Sequence, residues 1–398
     1  MGWWSKRNFL LVLMALAVLQ LAGEGCTRAP RDPRGAVPLS SSDNVTFPSE
    51  RWPAYARGFS WGVGSQGETV LIIRQPRTEE VLAVVSRDDF ALEGDEWRDF
   101  PRIVLGTGGV ITTSTTHVAL LDAAGGLERW AGCTSLKYLR SDAMLTWVAE
   151  HRVADVSGDA GIHVERVMAL DPGLVLVSPS HDLPSHHGWP VVPVTEYLEP
   201  HPLGRAEWMC ALAWMVGDSL QGAQAFGELR RRYEALKQAS TDLHASTDPP
   251  KQEGRRPTLF TGSVADGIWH APGADSFVAH WIEDAGGTYA LKDLGSFGNV
   301  EVGMESLLRL TEQSDAWVMV TYDPDGFTVD DLLAMDPRHE ALLQGTGAVW
   351  VCNTAFADYF TDVVVHPEWM LEDLMALMSG QTRGPHGLLE VLLSNPKP

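Results

Sequence analysis

The chain has 398 residues, of which 44% are hydrophobic and 21% charged, a balance that builds buried cores and argues against bulk disorder. Its length predicts two domains rather than one. A formal net charge of −22 argues against a nucleic-acid partner, since phosphate binding needs a surplus of Lys and Arg.

The first stretch, "MGWWSKRNFLLVLMALAVLQLAGEGC", has a basic start (Lys6, Arg7) and an apolar run from Phe9 to Leu19. That run is too short for a permanent membrane span and predicts a secretory signal over residues 1–26. Cys26 follows "LAGEG", which approximates a bacterial lipobox although Glu24 is atypical there. Lipidation of Cys26 is the expectation, tethering the protein at the cell envelope with its domains in water. Residues 27–48 are rich in Pro, Ser, Arg and Gly and read as a flexible tether. Cys133, Cys210 and Cys352 lack CxxC spacing; one disulfide is allowed among them, and the sequence does not select the pair.

Two β-rich runs, "ETVLIIRQP" and "EVLAVVSR", predict a hairpin. "RIVLGTGG" reads as a short buried strand ending in glycines. In "TTSTTHVALLDAAGG" a Ser/Thr cluster can cap a helix that closes at Gly125. "GIHVERVMALDPGLVLVSPS" is a helix and then a strand, "GWPVVPVTEYL" another strand, and "LGRAEWMCALAWMVG" a helix. A long helix is predicted over "DSLQGAQAFGELRRRYEALKQAS", residues 218–240, followed by a polar break containing prolines. The same grammar then restarts: strand "TLFTGSV", helix "DSFVAHWIEDAGG", helix "VGMESLLRL", strand "AWVMVTY", helix "VDDLLAM", strand "AVWVCN" and a final helix "EWMLEDLMALM". Alternating strands and helices predict mostly parallel sheets covered by helices. The expected fold is therefore α/β, with lobes over 49–217 and 241–398 joined by one long helix and a ligand cleft between them.

Few stretches carry chemistry. "GTGG" at Gly106 lacks the spacing of a phosphate loop and reads as a tight turn. The histidines of "SHDLPSHHGWP" (His181, His186, His187) read as a solvated loop, so no metal site is expected. No GxSxG, HExxH or Cys/His scaffold is present, and the chain is read as no enzyme. "EYLEPHPLGRAEWM" places Tyr197, Arg205 and Trp208 around a turn, where Arg can hold anionic oxygen and the aromatics can stack on a flat ligand. The plain alternative there is capping by Glu207 and a core role for Trp208. "GIWHAPGADSFVAHW" offers Trp269, His270 and Ser276, with the same alternative of a buried Trp and a capping Ser.

Five segments, "TTSTTHVALLDAAGGLERWAGCTS", "GDAGIHVERVMALDPGLVLV", "EYLEPHPLGRAEWM", "WHAPGADSFVAHWIEDAGGTYALKD" and "HPEWMLEDL", come in an order that resembles the substrate-binding proteins of ABC importers for iron–siderophore, haem and vitamin B12. The resemblance covers nearly the whole mature chain. It implies two α/β lobes on one long helix, a ligand in the cleft and modest hinge motion. It also implies that one glutamate per lobe, Glu165 and Glu305, meets arginines of the permease. The departures are "DPG" where the family often has Lys-Pro-Asp, and a short histidine-rich segment before "GWPVV".

The resulting expectation is a monomeric solute-binding lipoprotein of the cell envelope that delivers an iron chelate, first a ferric siderophore, to an ABC permease and its ATPase. Thr116, His117, Tyr197, Arg205 and Trp208 would bind the ligand from the first lobe, and Trp269, His270, Ser276 and Tyr359 from the second. Haem would draw an axial ligand from His117, His270 or Tyr359, and cobalamin would rely on the aromatics. Readings of another class are an envelope metal-dependent hydrolase using the histidine loop, or a sensor with the same fold.

Overall fold

The computed structural model describes residues 51–134, 136–158, 161–179, 188–245, 256–265, 267–295, 298–312 and 314–394. The signal segment with Cys26, the tether and the loop bearing His181, His186 and His187 lie outside the described residues.

Each lobe is built on a five-stranded sheet. In the first the order is Val191–Pro193, Pro172–Val177, Gly109–Thr112, Trp130–Cys133, Ala154–Asp155, all parallel. In the second it is Thr288–Tyr289, Thr258–Thr261, Ala316–Thr321, Ala348–Asn353, with Glu390–Ser394 antiparallel at the edge. All-apolar runs choose the inner positions. All of "PGLVLV" is buried, as is all of "AWVMVT" except Val320, because helices cover both faces of a parallel sheet. The predicted hairpin forms between Thr69–Arg74 and Val81–Ser86, inside a separate four-stranded sheet that Phe59–Val63 opens and Arg102–Val104 closes. The strands Phe59–Val63 and Glu390–Ser394 were not among the predicted elements.

The glycines of "GTGG" serve backbone packing. A Cβ on Gly173 would lie 2.3 Å from the Gly108 nitrogen, and one on Gly106 would lie 2.9 Å from the Gly173 Cα. Arg129 Nη2 also donates to the Gly106 and Gly108 carbonyls at 3.0 and 2.8 Å. Three glycines let two segments cross at backbone contact, and the turn is already filled by protein. No disulfide joins Cys133, Cys210 and Cys352 among the described residues.

The long helix spans Ser219–Ala245, after Gly217 ends the preceding helix in the left-handed region at φ 104°. It is keyed to both lobes through Asp284, a buried carboxylate of the second. Asp284 accepts from Tyr233 Oη at 2.8 Å, lies 2.7 Å from Lys237 Nζ and 3.5 Å from His201 Nε2 of the first lobe. Burial alone would raise its pKa, but His201, Lys237 and Tyr233 together hold it below the usual range.

Two further buried carboxylates hold the chain where it enters the fold. Glu207 accepts backbone N–H groups from Ala54, Tyr55 and Ala56 at 2.9, 2.7 and 2.9 Å. Glu199 accepts from Arg57 and Gly58 at 2.7 and 2.8 Å and from Trp208 Nε1 at 2.9 Å. Burial pushes the Glu199 carboxyl from the ordinary 4.5 up to about 7, against the pull of those donors. The folded chain then binds this proton more tightly than the unfolded chain. Its contribution therefore favours the fold below about 4.5 and is lost as pH rises to about 7. Denaturant titrations across that window are expected to show wild-type stability falling by up to about 3 kcal/mol more than that of Glu199→Gln. Parallel curves would refute the assignment.

Candidate ligand cleft and docking surface

The side chains that meet between the lobes come from three local structures. Ser114 caps the helix Thr115–Ala123 by accepting from the Thr116 N–H at 3.3 Å, which sets Thr116 on its first turn. A 3-10 turn, Glu196–Leu198, follows the edge strand of the first lobe. His201 then caps the helix Pro202–Val216 through Nδ1, 3.0 Å from the Leu203 N–H, with proline at its start where no N–H is needed. This sequence carries Arg205 back to Glu196: Nη2 lies 4.0 Å from Glu196 Oε1, and both residues are buried.

The second lobe closes over that pair. The Arg205 guanidinium stacks on the Phe277 ring with Cζ 4.2 Å from its centroid. Tyr359 is close enough to feel the Arg205 charge, yet burial pushes its hydroxyl up to about 12. Burial also raises the Glu196 carboxyl, opposed by Arg205 and a hydrogen bond from Thr116. Glu196 Oε2 and Arg205 Nε are both buried without a hydrogen-bond partner. The junction continues at Asp358, which receives the Ser141 N–H and the field of Arg140 from the first lobe but is still raised by burial. Arg140 also lies over Tyr322, 5.9 Å from its centroid, and Arg57 reaches Asp275 at 3.5 Å.

Thr116, Arg205 and Tyr359 are thus brought together, and Tyr197 is the half-buried neighbour of Glu196 in its turn. Of the other expected ligand contacts, packing corrects Trp208, Trp269 and His117. Trp208 is 0% exposed and spends its Nε1 on Glu199; Trp269, also 0% exposed, donates to the Thr261 carbonyl at 3.3 Å. Both fill cores because an indole offers more apolar area than any aliphatic side chain around it. His117 is wholly buried on the core side of its helix. His270 sits half-buried in the small antiparallel sheet Ser263–Ala265, Ile268–Pro272, Asn299–Val302, opposite Glu301. Ser276 caps the helix Phe277–Asp284, accepting from the Ala279 N–H at 3.2 Å. The sequence reading missed Glu196 and Phe277. The one available signal was the carboxylate pair of "TEYLEP", directly after the apolar "PVVPV".

Glu165 and Glu305 occupy matching places. Each stands in the first turn of a short helix, Val164–Leu170 or Met304–Thr311, that is followed by an inner strand of its own lobe, Pro172–Val177 or Ala316–Thr321. Both are exposed, and Glu165 Oε2 meets His163 Nδ1 at 3.0 Å. Beneath them Val167 and Leu307 are fully buried, so each helix is seated by its apolar face and presents its carboxylate outward.

Comparison with known proteins agrees with this architecture. A periplasmic haem-binding protein from Pseudomonas aeruginosa superposes with a TM-score of 0.53 at 15% identity, covering 73% of this chain and 99% of that one. A periplasmic binding protein from Veillonella parvula gives 0.50 at 12% identity, covering 70% and 93%. An uncharacterised lipoprotein of Methanocaldococcus jannaschii is 24% identical over 225 residues, 53% of this chain, which spans about half (51%) of that relative's length. The profile of the family described as "Periplasmic binding protein" matches residues 110–342, more than half of the sequence, and the chain belongs to that family.

Proposed function

We propose that the protein is an extracytoplasmic solute-binding lipoprotein, anchored through Cys26, that captures an iron chelate and delivers it to an ABC permease and its ATPase. The observation that carries this reading is the junction between lobes: Thr116, Glu196 and Arg205 of one lobe face Phe277 and Tyr359 of the other. Such a site offers polar groups to orient a ligand and rings to cover it, and enclosure between preformed lobes supplies affinity at small conformational cost. Among the described residues no helix is long and apolar enough to cross a membrane. Membrane attachment is assigned to a lipid on Cys26, from the lipobox-like "LAGEGC", and the permease contact to Glu165 and Glu305.

A ferric siderophore is the preferred cargo. Haem has less support, because His117 is buried, His270 lies on the small sheet, and the hydroxyl of Tyr359, raised to about 12, resists the phenolate form that ligates iron. The protein mixed separately with a ferric siderophore, haemin and cobalamin, then passed through gel filtration, should retain the siderophore's visible band. Retention of none of the three would refute the reading. Arg205→Lys keeps a charge opposite Glu196 but loses the planar fork, so affinity for the retained chelate is expected to fall about tenfold, measured by fluorescence titration.

A further inference from the structure

We infer that the cleft selects an uncharged or cationic, amide-bearing chelate and rejects polyanionic ones, with Glu196 as the residue that sets the choice; this rests on the chelate-binding reading above. An arginine in a ligand cleft would ordinarily be taken as an anion clamp, as the sequence alone suggested for Arg205. Here the guanidinium already faces a carboxylate, with Nη2 4.0 Å from Glu196 Oε1, and its flat face is covered by Phe277. An anion that engages Arg205 must come within reach of Glu196 as well, so attraction and repulsion largely cancel.

The surrounding charges repeat the pattern. Arg140, across the junction, is matched by Asp358, with Asp362 beside it, and Arg57 by Asp275 at 3.5 Å. The net charge of −22 extends the same sign to long range and lowers the encounter rate of a polyanion.

What the pair does offer is a hydrogen-bonding edge. Glu196 Oε2 and Arg205 Nε, on residues 1% and 7% exposed, are buried and have no hydrogen-bond partner. An acceptor and a donor on one ion pair complement the N–H and C=O of amide groups carried by a chelate, which can engage them without bringing net charge. A buried polar atom left unpaired is costly, so a ligand that completes both bonds is favoured over one that completes a single bond.

Three coloured probes test this on the mature chain: an iron(III) tris-hydroxamate bearing one pendant ammonium, net charge +1, a neutral corrinoid with amide side chains, and an iron(III) tris-catecholate of net charge −3. Equilibrium titration of tryptophan fluorescence should give the trianion an affinity at least about tenfold weaker than the better of the other two. Glu196→Gln should raise trianion affinity about tenfold while changing the hydroxamate or corrinoid affinity about threefold or less. A trianion bound as tightly as the others by wild type overturns the inference and leaves the chelate reading standing. An equal change for all probes in Glu196→Gln also overturns it, since a merely structural carboxylate would act that way. Binding of none of the three removes the chelate reading and the inference with it. If the variant does not fold, the wild-type ranking alone decides.

Discussion

Replacing Glu165 and Glu305 together with alanine is expected to cut ligand delivery well over tenfold while leaving ligand affinity unchanged and lowering stability by no more than about 1 kcal/mol. Both side chains are exposed and stand on helices seated by buried Val167 and Leu307, so neither carries core packing. Their one structural contribution is a negative charge in a first helical turn, worth about 0.5 kcal/mol each. In the proposed docking, each carboxylate would meet an arginine of the permease and supply steering and register. One exposed pair contributes on the order of 1 kcal/mol, so a single substitution should weaken docking several-fold. The double substitution removes contact from both lobes at once and should reduce uptake well over tenfold. Reconstituted permease with its ATPase reads this directly as chelate accumulated per vesicle. Loss of chelate binding by the purified double variant would show that the glutamates belong to the cleft instead.

Asp284→Ala should have the largest effect on stability. This one carboxylate takes the Tyr233 hydroxyl and the Lys237 ammonium of the long helix and approaches His201 at the start of a first-lobe helix. Removing it leaves the buried Tyr233 hydroxyl without its acceptor and Lys237 without its counter-charge. A cost of about 3 kcal/mol follows, toward the low end for a broken buried pair because Lys237 is half exposed. The consequence should also be geometric, since the same contacts set the long helix against both lobes. Thermal unfolding is expected to shift down, and small-angle scattering to show a broader distribution of lobe separations. Asp284→Asn, which keeps an acceptor for Tyr233, should recover part of the stability. An unchanged melting temperature in Asp284→Ala would rule out this role as the interlobe key.

Much of the architecture was legible without coordinates. Apolar runs such as "PGLVLV" and "AWVMVT" can be satisfied only between two layers of helix, and their alternation with helical segments dictates parallel sheets. The repeated glutamate-helix-strand unit was legible for the same reason: its signal is local order along the chain. Caps were legible too, since Ser114 and Ser276 act within three residues. Two edge strands were not: Phe59–Val63 and Glu390–Ser394 gain their identity from the neighbour they pair with.

The cleft divides along the same line. Residue chemistry pointed to Thr116, Arg205 and Tyr359, because an arginine or a tyrosine near a strand end is suited to a ligand. Sequence could not tell which way each side chain faces, and so it also nominated Trp208, Trp269 and His117, which the packing buries. Nor could it see that Arg205 would meet a carboxylate nine positions away, through a 3-10 turn and a capped helix start. By itself the sequence determined the fold class, the two-lobe repeat and the matching glutamates, all written in local periodicity. Only the tertiary structure decided that Arg205 meets Glu196 between the lobes, because charge pairing depends on which side chains long-range folding brings within a few ångströms.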